Sequence, residues 1–375
     1  MAVSHKFQPT KSAVSAPTTL KKTGSPTIKT ENVSSTYYLA QYLGLSEWTV
    51  SRAINGHPEV KAATRERILK AMDEIGFRPN PVARGLSGKA MGIVGVCFGN
   101  ASNALMIDKI TILEEFLREH HLRGVLAICP PDEESQIRVL ADFKHLRLDG
   151  IVLIQSYIRT AQLRKLLKGI RCVHVDPPTP DLLPRIALDR IAAMSLIINH
   201  LYDLGHRSFG TLGFSSVNVW RWQGLVENLH KLGLNPQNHL QAFELAAPGL
   251  ESYADGIELG QLACRAPVRP TAFIAINDRV AVGAMQAMRD LGLRVPEDVS
   301  VMGFDNLDVG QYLRPRLTTI DQQSENLMRQ AGELLLTQLS ATSSAEPTQS
   351  ILIEPHLIIR DSTGPAPLQD PVISS

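Results

Sequence analysis

Two groups of residues in this 375-residue chain have the types and spacing for recognition chemistry. The first lies in LGLSEWTVSRAINGHPEV, from Leu43 to Val60. A helix that starts after Ser46 and turns about 100° per residue gathers Val50, Ala53 and Ile54 on one face. Trp48, Arg52 and Asn55 then lie nearly opposite, with Glu47 and Ser51 toward the edges of that outer face. An aromatic ring, a guanidinium and a carboxylate therefore point away from the only available core. The second group sits at the ends of apolar runs: Asp176 closes VHVD, Asn277 and Asp278 follow AFIAI, and Asp305 stands in GFDN. Carboxylates and an amide at strand ends, together with an arginine such as Arg221 in WRWQGL, suit a ligand with several hydroxyls.

The elements that must hold these residues can be read from periodicity. Residues 1–34 are rich in Ser, Thr, Lys and Pro, and read as a disordered basic tail. Residues 35–79 hold three short helices. Leu39, Ala40 and Leu43 stripe the first, which Gly44 can close as a C-cap. Ser46 can N-cap the second. Ile68, Met72 and Ile75 stripe the third, which Gly76 ends. Two helices joined by a tight glycine turn and followed by a third outline a helix-turn-helix domain. Residues 80–90, with Pro81 and Gly85, form a linker around a possible single helical turn. From residue 91 to 365, strand-like runs alternate with amphipathic helices: GIVGVCF, GVLAIC, GIVLIQ and RCVHVD, then FGTLGF, AFIAIN and VSVMGF. Such alternation predicts parallel sheets in an α/β fold, and its near-restart after Gly205 predicts two Rossmann-like lobes with a cleft at the strand ends. Residues 366–375 read as a flexible tail.

Composition narrows the functional classes. The net charge of +1 hides an asymmetry: residues 1–90 carry 13 Lys or Arg against 6 Asp or Glu, and the remainder 25 against 31. A basic end on an acidic body suggests a front that meets polyanions. Cys97, Cys129, Cys172 and Cys264 lack C-x-x-C spacing and read as reduced core residues of a cytoplasmic protein, with no metal site and no cofactor expected. No apolar stretch approaches the ~20 residues of a membrane span, and the N-terminus lacks the apolar core of a signal peptide.

The residues also carry a family resemblance. The run YYLAQYLGLSEWTVSRAINGHPEVKAATRERILKAMDEIGFRPNPVARGLSGK resembles the head of the lactose/galactose repressor (LacI/GalR) family almost end to end. LGHRSFGTLGF, INDRVAVGAMQAMRDLGLRVPEDVSVMGFDN and LRPRLTTIDQ resemble its ligand-binding body. The resemblance spans roughly residues 35–365. It implies a transcription regulator, expected to be a repressor, that binds palindromic double-stranded operator DNA as a homodimer and answers to a small effector.

By that resemblance the second helix lies in the major groove, and its first two residues, Glu47 and Trp48, help choose the sequence. Arg52 can contact guanine bidentately, and Glu47 can accept from a cytosine amino group. Trp48 offers apolar surface to a thymine methyl or to sugar edges; the competing reading folds it back over the first helix as partial core. Tyr37, Thr49, Ser51 and Asn55 are expected to position the helix or contact phosphate. The VARxL segment is expected to fold on the operator, with Leu86 wedged between bases and Asn80, Arg84 and Lys89 binding phosphate or the groove. Gly85 departs from the family pattern, at about 1 kcal/mol relative to Ala in a helix. So does Lys61, where a capping Ser is usual, again worth about 1 kcal/mol.

In the body the resemblance sends Arg221 into the effector cleft, with Asp176, Asn277, Asp305 and Gln322 around it. Trp220 or Trp222 can stack on a sugar ring, although at their spacing at least one should be packing. Asp278 and Asp189 read better as helix caps. Ser102 and Asn103 belong to a first-lobe motif, SNAL, that has lost the family's aromatic. A sugar or sugar derivative is the expected effector, with a nucleobase or other metabolite as the alternative. A two-lobed solute-binding protein is disfavoured by the DNA-binding head. An enzyme is disfavoured because no G-x-G-x-x-G, Ser/His/Asp set or metal-ligand spacing stands out. The tail GPAPLQDPVISS lacks a heptad pattern, so a dimer through the body is expected and a coiled-coil tetramer is not.

Overall fold

A computed structural model describes residues 35–55, 57–78, 90–99, 104–129, 132–156, 160–177, 183–215, 218–246, 251–341 and 350–367. The candidates Asn80, Arg84, Leu86, Lys89, Ser102 and Asn103, the N-terminal tail and residues 368–375 lie outside the described residues; Ala366, at the start of the expected C-terminal tail, donates its N–H to the Leu204 carbonyl at 2.8 Å. The chain divides into two compact units, residues 1–83 and 84–375.

The first unit holds α1 (Thr36–Leu43), α2 (Glu47–Ile54) and α3 (Ala62–Glu74). Gly44 closes α1 in the left-handed conformation, with φ 64°. The Ser46 hydroxyl caps α2 by accepting from the Thr49 N–H at 3.0 Å, whereas Lys61 makes no side-chain cap for α3. Leu39, Leu43, Val50, Ala53, Ile68 and Met72 are buried together, and Phe77 closes the cluster. This small core depends on the helical stripes meeting, which fixes the outward direction of the opposite face of α2.

The second unit is a mixed α/β body of two parallel-sheet lobes. In the first lobe are β1 (Ile93–Phe98), α4 (Ala104–Glu119), β2 (Arg123–Ile128), α5 (Glu133–His145), β3 (Gly150–Ile154), α6 (Thr160–Leu166), β4 (Arg171–Val175) and β5 (Arg185–Leu188). The second holds α7 (Arg190–Asp203), β6 (Phe209–Leu212), α8 (Val219–Lys231), α9 (Pro236–His239), β7 (Leu240–Phe243), α10 (Tyr253–Cys264), β8 (Ala272–Ala275), α11 (Asp278–Asp290) and β9 (Ser300–Met302). The chain then forms β10 (Thr319–Asp321) and returns through α12 (Ser324–Ser340) to β11 (Ser350–Ile353) and β12 (His356–Ile358). The larger sheet runs β11-β5-β4-β3-β1-β2 and the smaller β7-β6-β8-β9, all parallel; β10 and β12 pair antiparallel. Helices α10 and α11 approach so closely that a Cβ on Gly256 or Gly283 would collide with the Val280 or Tyr253 carbonyl oxygen.

One expectation fails here. Cys97 and Cys129, read as reduced thiols, are joined by a disulfide with their Cα atoms 6.1 Å apart. Phe98 lies opposite Ile128 in the β1–β2 register, so the residue after β2 comes beside the end of β1. The cysteines are 32 residues apart in sequence, and their proximity follows from strand order. Cys172 is buried in the same apolar cluster. Among the described residues no helix is long and apolar enough to cross a membrane.

Candidate functional site

The outward face of α2 is built as its periodicity requires. Trp48 is 65% exposed and does not fold back over α1. The Arg52 guanidinium stacks over its ring at 4.2 Å, a cation–π contact worth about 0.5–1 kcal/mol at an exposed site. Arg52 also pairs with Glu59 at 2.8 Å and bonds the His57 ring. Tryptophan and arginine thus form one held unit, a coupling that the helical wheel alone does not reveal. Glu47 accepts from the Thr36 hydroxyl at 2.9 Å, which ties the start of α2 to α1. The Tyr37 hydroxyl accepts from Gln41 at 2.8 Å. The Thr49 hydroxyl shares a hydrogen bond with Ser46 at 2.7 Å, and Asn55 donates to the Ser51 carbonyl.

The second site is a cavity of about 260 Å³ at the carboxyl ends of strands from both lobes. Asp176, Trp220, Arg221, Asn277, Asp305 and Gln322 all line it; Trp222 does not. Asp176 follows β4 and Asp305 follows β9, and both have positive φ, 50° and 127°, a backbone strain typical of residues aimed by a site.

Its electrostatics are set by burial and pairing. Asp176 is fully committed: one carboxylate oxygen accepts from Lys109 at 2.9 Å, the other from the Leu188 N–H at 3.0 Å and from Arg190 at 3.1 Å. Burial works to raise its pKa, but the Arg190 and Lys109 cations hold this carboxyl well below the usual range. Asp176 therefore serves first as an internal counterion, with part of its acceptor capacity left toward the cavity that it lines. Lys109 also donates to the Gln322 carbonyl oxygen at 2.9 Å, and Gln322 in turn donates to Asp305. Burial, then the nearby Asp278 charge, pushes the Asp305 carboxyl up to about 8. Its second oxygen has no hydrogen bond among the described residues and remains open to a ligand. Arg221 donates to the Ile276 carbonyl and lies over the Phe304 ring. Burial, then the positive charge of Arg190, lowers it to about 10.

Asp278 corrects the expected cap. Asn277 caps α11 by accepting from the Val280 N–H at 2.9 Å, and its amide donates to the Glu251 backbone at 3.1 Å. Asp278 is buried one position further on, accepting from the Leu307 N–H at 2.6 Å and from the Thr319 hydroxyl. Burial raises it to about 6. Gly303 makes this possible, since a Cβ there would overlap the Asp278 carboxylate. Asp189 does cap α7, accepting from the Ala192 N–H at 2.9 Å.

Lys109 and Arg190 escape sequence reasoning. Lys109 occupies the apolar phase of α4 with Met106, Ile110 and Leu113, and a lysine on a buried stripe is the signal that could have found it. Arg190 follows the Asp189 cap, at the helix end that faces the cavity.

A helical head with an exposed aromatic–cation face, followed by a two-lobed body around a polar cavity, defines a ligand-responsive transcription regulator. Comparison with known proteins agrees. Residues 39–80 match the bacterial regulatory proteins of the lacI family, and residues 198–363 a periplasmic binding protein-like domain. The transcriptional regulator MalR of Streptomyces coelicolor is 31% identical over 342 residues, 88% of this chain and 96% of that protein. The repressor CytR of Escherichia coli is 29% identical over 86% of this chain and 94% of its own length. Among solved structures, a lac repressor dimer bound to operator and the anti-inducer ONPF shares the fold. Its TM-score is 0.74 at 24% identity, covering 88% of this chain and 99% of that one. A complex of the regulator CelR with cellobiose has a TM-score of 0.63 at 25% identity, covering 88% and 99%. The chain belongs to the LacI family of bacterial regulatory proteins.

Proposed function

We propose that the chain represses transcription in the cytoplasm as a homodimer on a palindromic operator, and that a small sugar-like effector in the cavity changes its grip on DNA. No catalytic role is assigned to it. The observation that carries the DNA-binding part is the outward Trp48–Arg52 unit on the second helix of the head. In this reading α2 enters the major groove and Arg52 reads guanine, with Glu47 and Trp48 reading beside it. Tyr37, Thr49, Ser51 and Asn55 position the helix, Leu86 enters the minor groove, and Asn80, Arg84 and Lys89 bind backbone. Arg221, Asn277, Asp305 and Gln322 hold the effector, with Trp220 against its ring and Ser102 and Asn103 beside it.

Selection from random duplexes followed by fluorescence anisotropy tests this reading. The expected result is a palindromic consensus, a Kd that weakens steeply with salt, and at least tenfold weaker binding by Leu86→Ala. A chain that shows no sequence preference would contradict it.

For the dimer, support comes from edge strand β2. Leu126 and Ile128 are two residues apart, so they share a face, and both are at least half exposed.

A further inference from the structure

The cavity brings two arginines and an uncapped helix start to one space. Resting on the reading of this cavity as an effector site, we propose that the effector is a small polyol carrying one anionic group, a carboxylate or a phosphate, received by Arg190 and Arg221.

The two arginines line one cavity, yet neither has a carboxylate of its own. Arg190 shares Asp176 with the buried Lys109, so two cations stand against one anion there. Its other N–H groups make no hydrogen bond among the described residues. Arg221 spends one nitrogen on a backbone carbonyl and its face on an aromatic ring, and neither neutralises its charge. The nearest open carboxyl, Asp305, is held toward its neutral form by burial and by Asp278. Glu251, the remaining acid of the lining, lies at the exposed rim.

Backbone dipoles add the same sign. Residues Asn218, Val219, Trp220 and Arg221, at the start of the 13-residue helix α8, all line the cavity, and no side chain caps this end. Unpaired N–H groups and the dipole at such an end favour an anion. A guanidinium fork grips a carboxylate or phosphate through parallel hydrogen bonds. Asp305 and Asn277 remain for hydroxyls. At about 260 Å³ the space is just below the ~300–1,000 Å³ of drug-sized sites, which limits the ligand to about one sugar unit.

Calorimetry on the full chain tests the proposal with D-gluconate, D-glucuronate and D-glucose 6-phosphate, set against D-glucose, D-ribose and inorganic phosphate. The expected result is that at least one anionic sugar binds tenfold or more tighter than the neutral sugars. Whether a sugar acid or the sugar phosphate prevails identifies the anion. Arg190→Gln, shown folded by circular dichroism, should weaken that ligand at least tenfold, and Arg190→Lys should restore part of the loss. The proposal is overturned if a neutral sugar outbinds every anion, if inorganic phosphate alone binds, if no anionic sugar binds, or if Arg190→Gln keeps wild-type affinity. A neutral sugar that changes operator affinity would leave the regulator reading standing without the anion. Failure of the wild type to bind any operator would instead remove that reading.

Discussion

At the residue scale, titration ties the cavity to stability. Asp305 is raised from an ordinary 3.8 to about 8 in the folded chain, so folding favours its protonated form. Its contribution is fully present below about pH 4 and is lost as pH rises through about 8, at roughly 1.4 kcal/mol for each unit of pKa difference. Asp278, raised to about 6, acts in the same direction, whereas Asp176, held low, loses its contribution on acidification. Urea denaturation at pH 5 and pH 8.5 should show the wild type less stable at the higher pH, and Asp305→Asn should flatten that difference. An unchanged slope in the variant would assign the titration elsewhere. Lys109→Ala should cost about 3–5 kcal/mol, the usual penalty for breaking a buried ion pair, read as a lower denaturation midpoint. The sequence made Asp305 and Arg221 legible through their motifs. It concealed Lys109 inside an apolar stripe, and it assigned to Asp278 the capping role that Asn277 performs.

At the element scale, the head was legible because its signals are local: a 3.6-residue period, a capping serine and a left-handed glycine each act within one helix. The seven long apolar runs likewise became β1–β4, β6, β8 and β9. The strands missed, such as β5 and β10, of four and three residues, did not stand out in the sequence as apolar runs that alternate with helices. The Cys97–Cys129 link was hidden because it depends on which strands lie side by side, and the apolar runs do not state strand order. Helices α10 and α11 show what tight packing demands of a sequence. Because Gly283 faces the Tyr253 backbone with no room for a Cβ, Gly283→Ala must push the helices apart. Overpacking of this kind costs about 1–3 kcal/mol, and a thermal melt of the variant should show a clear loss of stability; a wild-type melting temperature would mean the helices yield.

At the scale of the whole molecule, the question is how the cavity could govern DNA binding. Its lining draws Gln155 and Asp176 from the first lobe, and Arg190, Arg221, Asn277 and Asp305 from the second. A ligand touching both sides stabilises whichever lobe arrangement lets it keep both sets of contacts, by its difference in affinity between the arrangements. If Arg221 carries the second-lobe side of that grip, as proposed, Arg221→Ala should uncouple the chain: effector would no longer shift operator affinity, as read by anisotropy with and without ligand. The shift also has to reach two heads together if the operator is palindromic, which makes assembly part of the response. Leu126→Asp on the β2 edge would place a charge on the apolar face proposed to join the protomers. Sedimentation at micromolar concentration should then show a monomer, and operator affinity should fall at least tenfold because each head binds a half-site alone. A Leu126→Asp chain that still sediments as a dimer would move the interface away from β2.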